Sequence, residues 1–98
     1  MAQPVIRLLV ADDHPIVRDG LAAVLGTQPD LQVVGAAGDG EEALRLAAEL
    51  HPDVLLLDLE MPRLDGVGVL QRLRAAGDDT PAIVFTAFDT DERIVEAV

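Results

Sequence analysis

The stretch whose reading decides the fold is Pro52-Asp53-Val54-Leu55-Leu56-Leu57-Asp58-Leu59-Glu60-Met61-Pro62. Val54 to Leu57 is apolar with no polar alternation, the pattern of a strand covered on both faces. Such strands belong to parallel sheets sandwiched between helices, and ligands there sit beyond the C-terminal strand ends. Asp58 falls at that end, and Pro62 imposes a turn shortly after. A carboxylate in this place either shapes the start of a loop or carries out chemistry.

Working outward from this strand, the flanking sequence alternates strand and helix patterns. Val5 to Ala11 reads as a first strand, ending in Asp12-Asp13-His14-Pro15. Proline is tolerated at a first helical position, where its missing N–H has no partner anyway. The helix that follows places Val17, Leu21, Val24 and Leu25 on one face, with Gly26 as its stop. Leu31 to Ala36 is a weaker strand with a polar position and a glycine, which suits a sheet edge. Asp39 and Glu42 have the spacing of a capping box, and Ala43, Leu46, Ala47 and Leu50 form the inward stripe behind it. After the central strand, Asp65-Gly66 opens a helix with Val69, Leu70, Leu73 and Ala76 inward, stopped by Gly77. Ala82 to Ala87 reads as a fourth buried strand with Phe85 in the core. Asp89 and Glu92 cap a helix still running at Val98.

This β-α-β-α-β-α-β-α order predicts an α/β fold, a doubly wound parallel sheet with right-handed crossovers. Half of the 98 residues are hydrophobic, and the two aromatics are Phe85 and Phe88, so the core is built from Leu, Val, Ile and Ala. Cysteine is absent, which removes disulfides and thiolate metal sites and fits a reducing cytoplasm. No apolar run approaches the roughly 20 residues of a membrane span. A formal charge of −11 argues against gripping nucleic acid directly and points to cations or basic partner surfaces.

In a parallel sheet of this kind, the C-terminal ends of strands one, three and four form a common rim carrying Asp12, Asp13, Asp58 and Thr86. Two unit charges 4 Å apart repel by about 4 kcal/mol at an effective dielectric of 20, so either a pKa rises or a cation sits among the acids. An all-oxygen, partly hydrated site suits Mg²⁺ or Mn²⁺. The competing readings are helix capping for Asp12-Asp13, an Asx-type turn for Asp58, and an ordinary β-branched strand end for Thr86. His14 reads as a polar loop residue near the cap.

These residues carry a resemblance. Val10-Ala11-Asp12-Asp13-His14-Pro15, Leu56-Leu57-Asp58-Leu59-Glu60-Met61-Pro62 with Asp65-Gly66, and Phe85-Thr86-Ala87 together resemble the receiver domain of bacterial two-component response regulators, from Val5 to Val98. Asp-Asp-His-Pro-Ile-Val-Arg-Asp-Gly-Leu is further similar to the NarL/FixJ subfamily, whose receivers usually precede a LuxR-type helix-turn-helix. The resemblance implies a flavodoxin-like (βα)5 fold with strand order 2-1-3-4-5. It implies that Asp58 is the phosphoacceptor for a sensor histidine kinase and Thr86 the switch. It also implies a divalent ion held by Asp13, Asp58 and the Glu60 backbone carbonyl, with Asp12 acting through water. A cytoplasmic regulator of transcription is implied, reaching DNA only through a C-terminal domain outside residues 1–98, without membrane contact and with a homodimer as an option on phosphorylation. It would be a single-turnover acceptor, not a turnover enzyme.

One departure stands out. The family places a lysine at the end of a fifth strand, whereas all seven basic residues here are arginine. The expectation is a receiver interrupted in its fourth helix, lacking the fifth strand and helix. Loss of one preorganised donor commonly costs about 10² to 10³ in rate, so these residues alone should phosphorylate slowly. Two alternatives remain. One is a metal-dependent phosphatase using an aspartyl phosphate, though such enzymes carry D-x-D-x-T where this chain has Asp12-Asp13-His14-Pro15. The other is a non-phosphorylated interaction module of the same fold.

Overall fold

In a computed structural model, which describes residues 4–85, the chain runs β1 (Ile6–Ala11), α1 (Pro15–Leu25), β2 (Leu31–Ala37), α2 (Gly40–Leu50), β3 (Val54–Asp58), α3 (Gly66–Ala75) and β4 (Ala82–Phe85). Among the described residues the strands form one parallel sheet in the order β2-β1-β3-β4. The chain crosses left from β1 to β2 and then right from β2 to β3. With crossovers of one hand, helices on successive outward and return paths land on opposite faces.

The period-two alternation of the strands separates those faces. Leu9 and Ala11 of β1 and Leu55 and Leu57 of β3 share a core with Ala43 and Ala47 of α2 and Val69 and Leu73 of α3. The buried stripe of α2 is alanine, so this helix lies close to the sheet. A Cβ on Gly35 of β2 would come within 2.8 Å of a Leu50 methyl, which accounts for the glycine in that strand. Leu8 and Val10 face the other way, toward the side covered by α1. Val54 and Leu56 point to that side too and are only half-buried, so the uniformly apolar run conceals an unequal pair of faces. A register shift at Leu8/Leu9 leaves Val34 opposite no residue of β1, an irregularity typical of an edge strand.

The apolar face of α1 is only partly covered, and two packing expectations are corrected. Val24 is 64% exposed and Ile16 88% exposed, because the sheet-facing arc of α1 centres on Leu21 and Leu25. Successive residues turn 100° around a helix, and that rotation carries Val24 off the arc. Ala76 is the exposed C-cap of α3, one residue past the last helical residue, Ala75. Ile83, expected in a buried strand, is 58% exposed, because no described helix covers β4 on the α1 side of the sheet. Phe85 is half-buried.

The predicted helix ends are otherwise where the physical chemistry puts them. Pro15 stands in the first turn of α1 and Gly26 is its C-cap. Asp39 accepts the Glu42 N–H at 2.8 Å. Glu42 itself reaches back to the Gly38 N–H at 2.8 Å, one residue beyond the N-cap donor that a reciprocal box would use. Gly77, at φ +82, ends α3 in the left-handed region, where a side chain would be strained. The helix expected from Asp89 and Glu92 lies outside the described residues, as do Ala87 and Phe88.

Candidate phosphoacceptor and metal site

The two central strands, β1 and β3, deliver their last residues to the same rim. Leu57 pairs with Ala11, so Asp12 and Asp58 leave the sheet side by side. Their burial is nearly complete, at 0% and 1% exposure. Each uses one carboxylate oxygen to shape its own loop. Asp12 Oδ1 accepts the His14 N–H at 2.8 Å, and Asp58 Oδ1 accepts the Glu60 N–H at 3.1 Å. The Asx-turn reading of Asp58 is therefore correct for one oxygen and says nothing of the other. Capping of α1 by Asp12 or Asp13 is not observed, since His14 is the N-cap and no side chain caps that helix.

Asp12 Oδ2, Asp13 Oδ1 and Asp58 Oδ2 are buried and lack a hydrogen-bond partner among the described residues. An unpartnered buried acceptor costs about 1–3 kcal/mol, and more when charged. Three such atoms in one place are therefore tolerated only for a compensating reason. Burial pushes the Asp58 carboxyl up to about 6; the Glu60 N–H opposes this, and the charges of Asp12 and Asp13 add to it.

His14 is the polar loop residue at the helix cap that the sequence suggests, and its ring also faces the acids. Its Nδ1 lies 2.9 Å from Asp12 Oδ1, 3.1 Å from Asp13 Oδ1 and 3.8 Å from Asp58 Oδ2. The hydrogen bond to Asp12 raises the imidazole pKa above its ordinary value, and the Asp13 and Asp58 charges raise it further. Only the adjacency of His14 to the acid pair hinted at this placement. The turn that Asp12 closes on the His14 N–H is local, whereas the ring's approach to Asp13 and Asp58 depends on the folded rim, which no local pattern encodes.

Ligand atoms of Asp12, Asp13, His14 and Asp58 all lie within 4.8 Å of one another, so the residues fit a hard divalent cation. Beside them opens a cleft of about 560 Å³ lined by Asp13, His14, Leu59, Glu60, Met61, Pro62 and Asp65. Buried Met61 anchors its floor. Gly66 brings α3 against the strand end: a Cβ there would stand 2.6 Å from the Asp58 carbonyl oxygen. Arg63 bends the intervening loop at φ 67. Thr86, the expected switch residue, lies outside the described residues.

The response regulator receiver domain model matches residues 8–98. The chain belongs to the response regulator receiver family. Its relatives place it with NarL/FixJ-type receivers. It is 45% identical to the transcriptional regulatory protein LiaR of Bacillus subtilis over 95% of this chain and 44% of that protein. It is 38% identical to the nitrate/nitrite response regulator protein NarL of Escherichia coli over 93% of this chain and 42% of that one. The receiver thus spans less than half the length of these curated relatives. In three dimensions it matches the signal receiver domain of a NarL response regulator from Mycobacterium tuberculosis with a TM-score of 0.83 and 37% identity, over 92% of this chain and 73% of the other. No described helix is long and apolar enough to cross a membrane.

Proposed function

We propose that Asp58 is the phosphoacceptor, taking a phosphoryl group from the phosphohistidine of a cognate sensor histidine kinase. Asp13, Asp58 and the Glu60 backbone carbonyl would hold Mg²⁺ or Mn²⁺, with Asp12 contributing through water. The observation that carries this reading is the convergence of three buried, unpartnered carboxylate oxygens at the ends of β1 and β3.

An Asp58 oxygen attacks phosphorus; the O–P bond forms as the N–P bond to the donor imidazole breaks, and the bonding pair stays on the leaving nitrogen. Burial pushes the Asp58 carboxyl up to about 6 without a bound ion, so it is ionised at neutral pH and able to attack, and a cation would lower that pKa. A divalent ion, when bound, supplies positive charge against the charge on the transferring group. The Glu60 N–H keeps the Asp58 carboxylate oriented, and the close seat of α3 on Gly66 fixes the loop that carries Glu60. Thr86 answers the new phosphate and passes the change to the surface beyond β4. The protein is a cytoplasmic regulator of transcription that acts through a DNA-binding domain, with dimerisation on phosphorylation as one route, and it undergoes a single phosphorylation without enzymatic turnover.

Incubating the full chain with Mg²⁺ and acetyl phosphate should add the mass of one phosphate, and Asp58→Asn should abolish the adduct. Steady hydrolysis of a phosphomonoester with no adduct would overturn the proposal in favour of a phosphatase.

A further inference from the structure

We infer that His14 is a ligand of the metal site and sets its ion preference, adding an imidazole nitrogen to what is otherwise an oxygen-only set. The inference rests on the reading of the acid cluster as a metal site. That reading is supported independently by the unpartnered oxygens of Asp12 and Asp58, whose side chains are 99% or more buried.

Geometry carries the argument. Adjacent ligands on an octahedral ion with bonds near 2.1 Å stand about 3.0 Å apart, and opposite ligands about 4.2 Å apart. His14 Nδ1 is 3.1 Å from Asp13 Oδ1, an adjacent-ligand separation, and that oxygen has no hydrogen-bond partner. Asp58 Oδ2, also unpartnered, is 3.8 Å away, between the adjacent and opposite values. The ring therefore stands at an adjacent-ligand separation from Asp13 Oδ1 and close enough to Asp58 Oδ2 for all three atoms to reach one ion. The N-cap position and the N–H bond to Asp12 Oδ1 place the His14 backbone, and the ring itself rests on the same oxygen through Nδ1 at 2.9 Å, a bond that metal binding would replace. The side chain is 54% exposed, so no packing has to break for it to exchange one nitrogen proton for a metal bond. Without metal, Nδ1 carries the proton that Asp12 accepts; as a ligand it presents the lone pair and the proton resides on Nε2.

Imidazole favours the later first-row divalent ions, whereas carboxylates and water suit Mg²⁺. His14→Gln keeps a donor beside Asp12 but removes the nitrogen ligand. It should lower Ni²⁺ or Co²⁺ affinity by about 10- to 100-fold, a range reached even by residues that only support a ligand, while Mg²⁺ affinity changes less than about twofold. Titration calorimetry on the full chain reads both ions. Electron spin echo of Mn²⁺ bound to the unsubstituted chain should show a ¹⁴N coupling that survives His51→Gln. His51, the other of the two histidines, caps α2 at the far end of β3. If Mg²⁺ itself fails to bind, the reading of the acid cluster falls. If Mg²⁺ binds but no nitrogen coupling appears, or the two ions lose affinity equally in His14→Gln, only the ligand role of His14 is overturned.

Discussion

A carboxylate that is 1% exposed and leaves one oxygen unpartnered destabilises the fold around it. The Asp58 pKa, raised to about 6 mainly by burial, gives that cost a pH signature. Because the folded state binds this proton more tightly than the unfolded chain, the linked stability is complete below the unfolded value near 3.9. It is lost as pH rises through about 6. At pH 7.5 and without divalent ions, Asp58→Asn should therefore be more stable than the unsubstituted protein by on the order of 1–3 kcal/mol. The gap should narrow to roughly half between pH 7.5 and 5 and close only below about pH 4, as read by urea denaturation at each pH. A gap that does not change with pH would place the cost elsewhere. His14 adds in the same direction, since its raised pKa gives stability that is present at low pH and lost as pH rises through its folded value. The acids of this site were legible in the sequence because Asp58 ends an apolar strand and Asp12-Asp13 directly follow another. The place of His14 among them was not, because it depends on where one ring turns after the chain has folded.

At the scale of elements, the glycines separate close packing from mere flexibility. Gly66 starts α3 against the Asp58 carbonyl oxygen, with 2.6 Å available to a Cβ. The obstacle is backbone that the sheet holds in place, so Gly66→Ala must push α3 away from the strand end. A loss of about 1–3 kcal/mol is expected, measured as a lower urea midpoint with unchanged slope. Gly20 is the contrast: it lies inside α1, and a Cβ there would meet nothing within 4 Å. Gly20→Ala should gain about 0.5–1 kcal/mol from helix propensity. Equal effects of the two substitutions would count against the close seat of α3. Element order, strand direction and the edge position of β2 were all readable from hydrophobic runs and turn residues. The misread positions have different causes: Ala76 lies past the last turn of α3, and Ile83 faces a side of the sheet that no described helix covers. Periodicity identifies which residues lie on an apolar arc, but whether another layer meets that arc is a property of the assembled sheet. Asp39 bridges the two levels, since its N-cap bond to Glu42 is purely local. Asp39→Ala should cost about 1 kcal/mol from the lost cap, with little added by the exposed pair it makes with Arg63 at 3.7 Å.

For the whole molecule, a formal charge of −11 on 98 residues means that any salt relieves self-repulsion. Stabilisation by Mg²⁺ alone would therefore prove little about a site. The informative comparison holds ionic strength constant while Mg²⁺ replaces Na⁺. A ligand that binds only the folded state stabilises by about 2.7 kcal/mol at one hundred times its Kd. For a domain of this size that corresponds to roughly 4–8 °C in Tm per kcal/mol. The unsubstituted protein should thus gain several degrees on exchange into Mg²⁺ at constant ionic strength, rising with the logarithm of its concentration. Asp13→Asn removes a carboxylate at the cluster and lowers the general repulsion, so it should begin with a higher Tm, retain the response to NaCl and lose the Mg²⁺ increment. Equal increments in the two proteins would locate the effect in bulk screening, and the convergence of Asp12, Asp13 and Asp58 would then have to be explained without an ion.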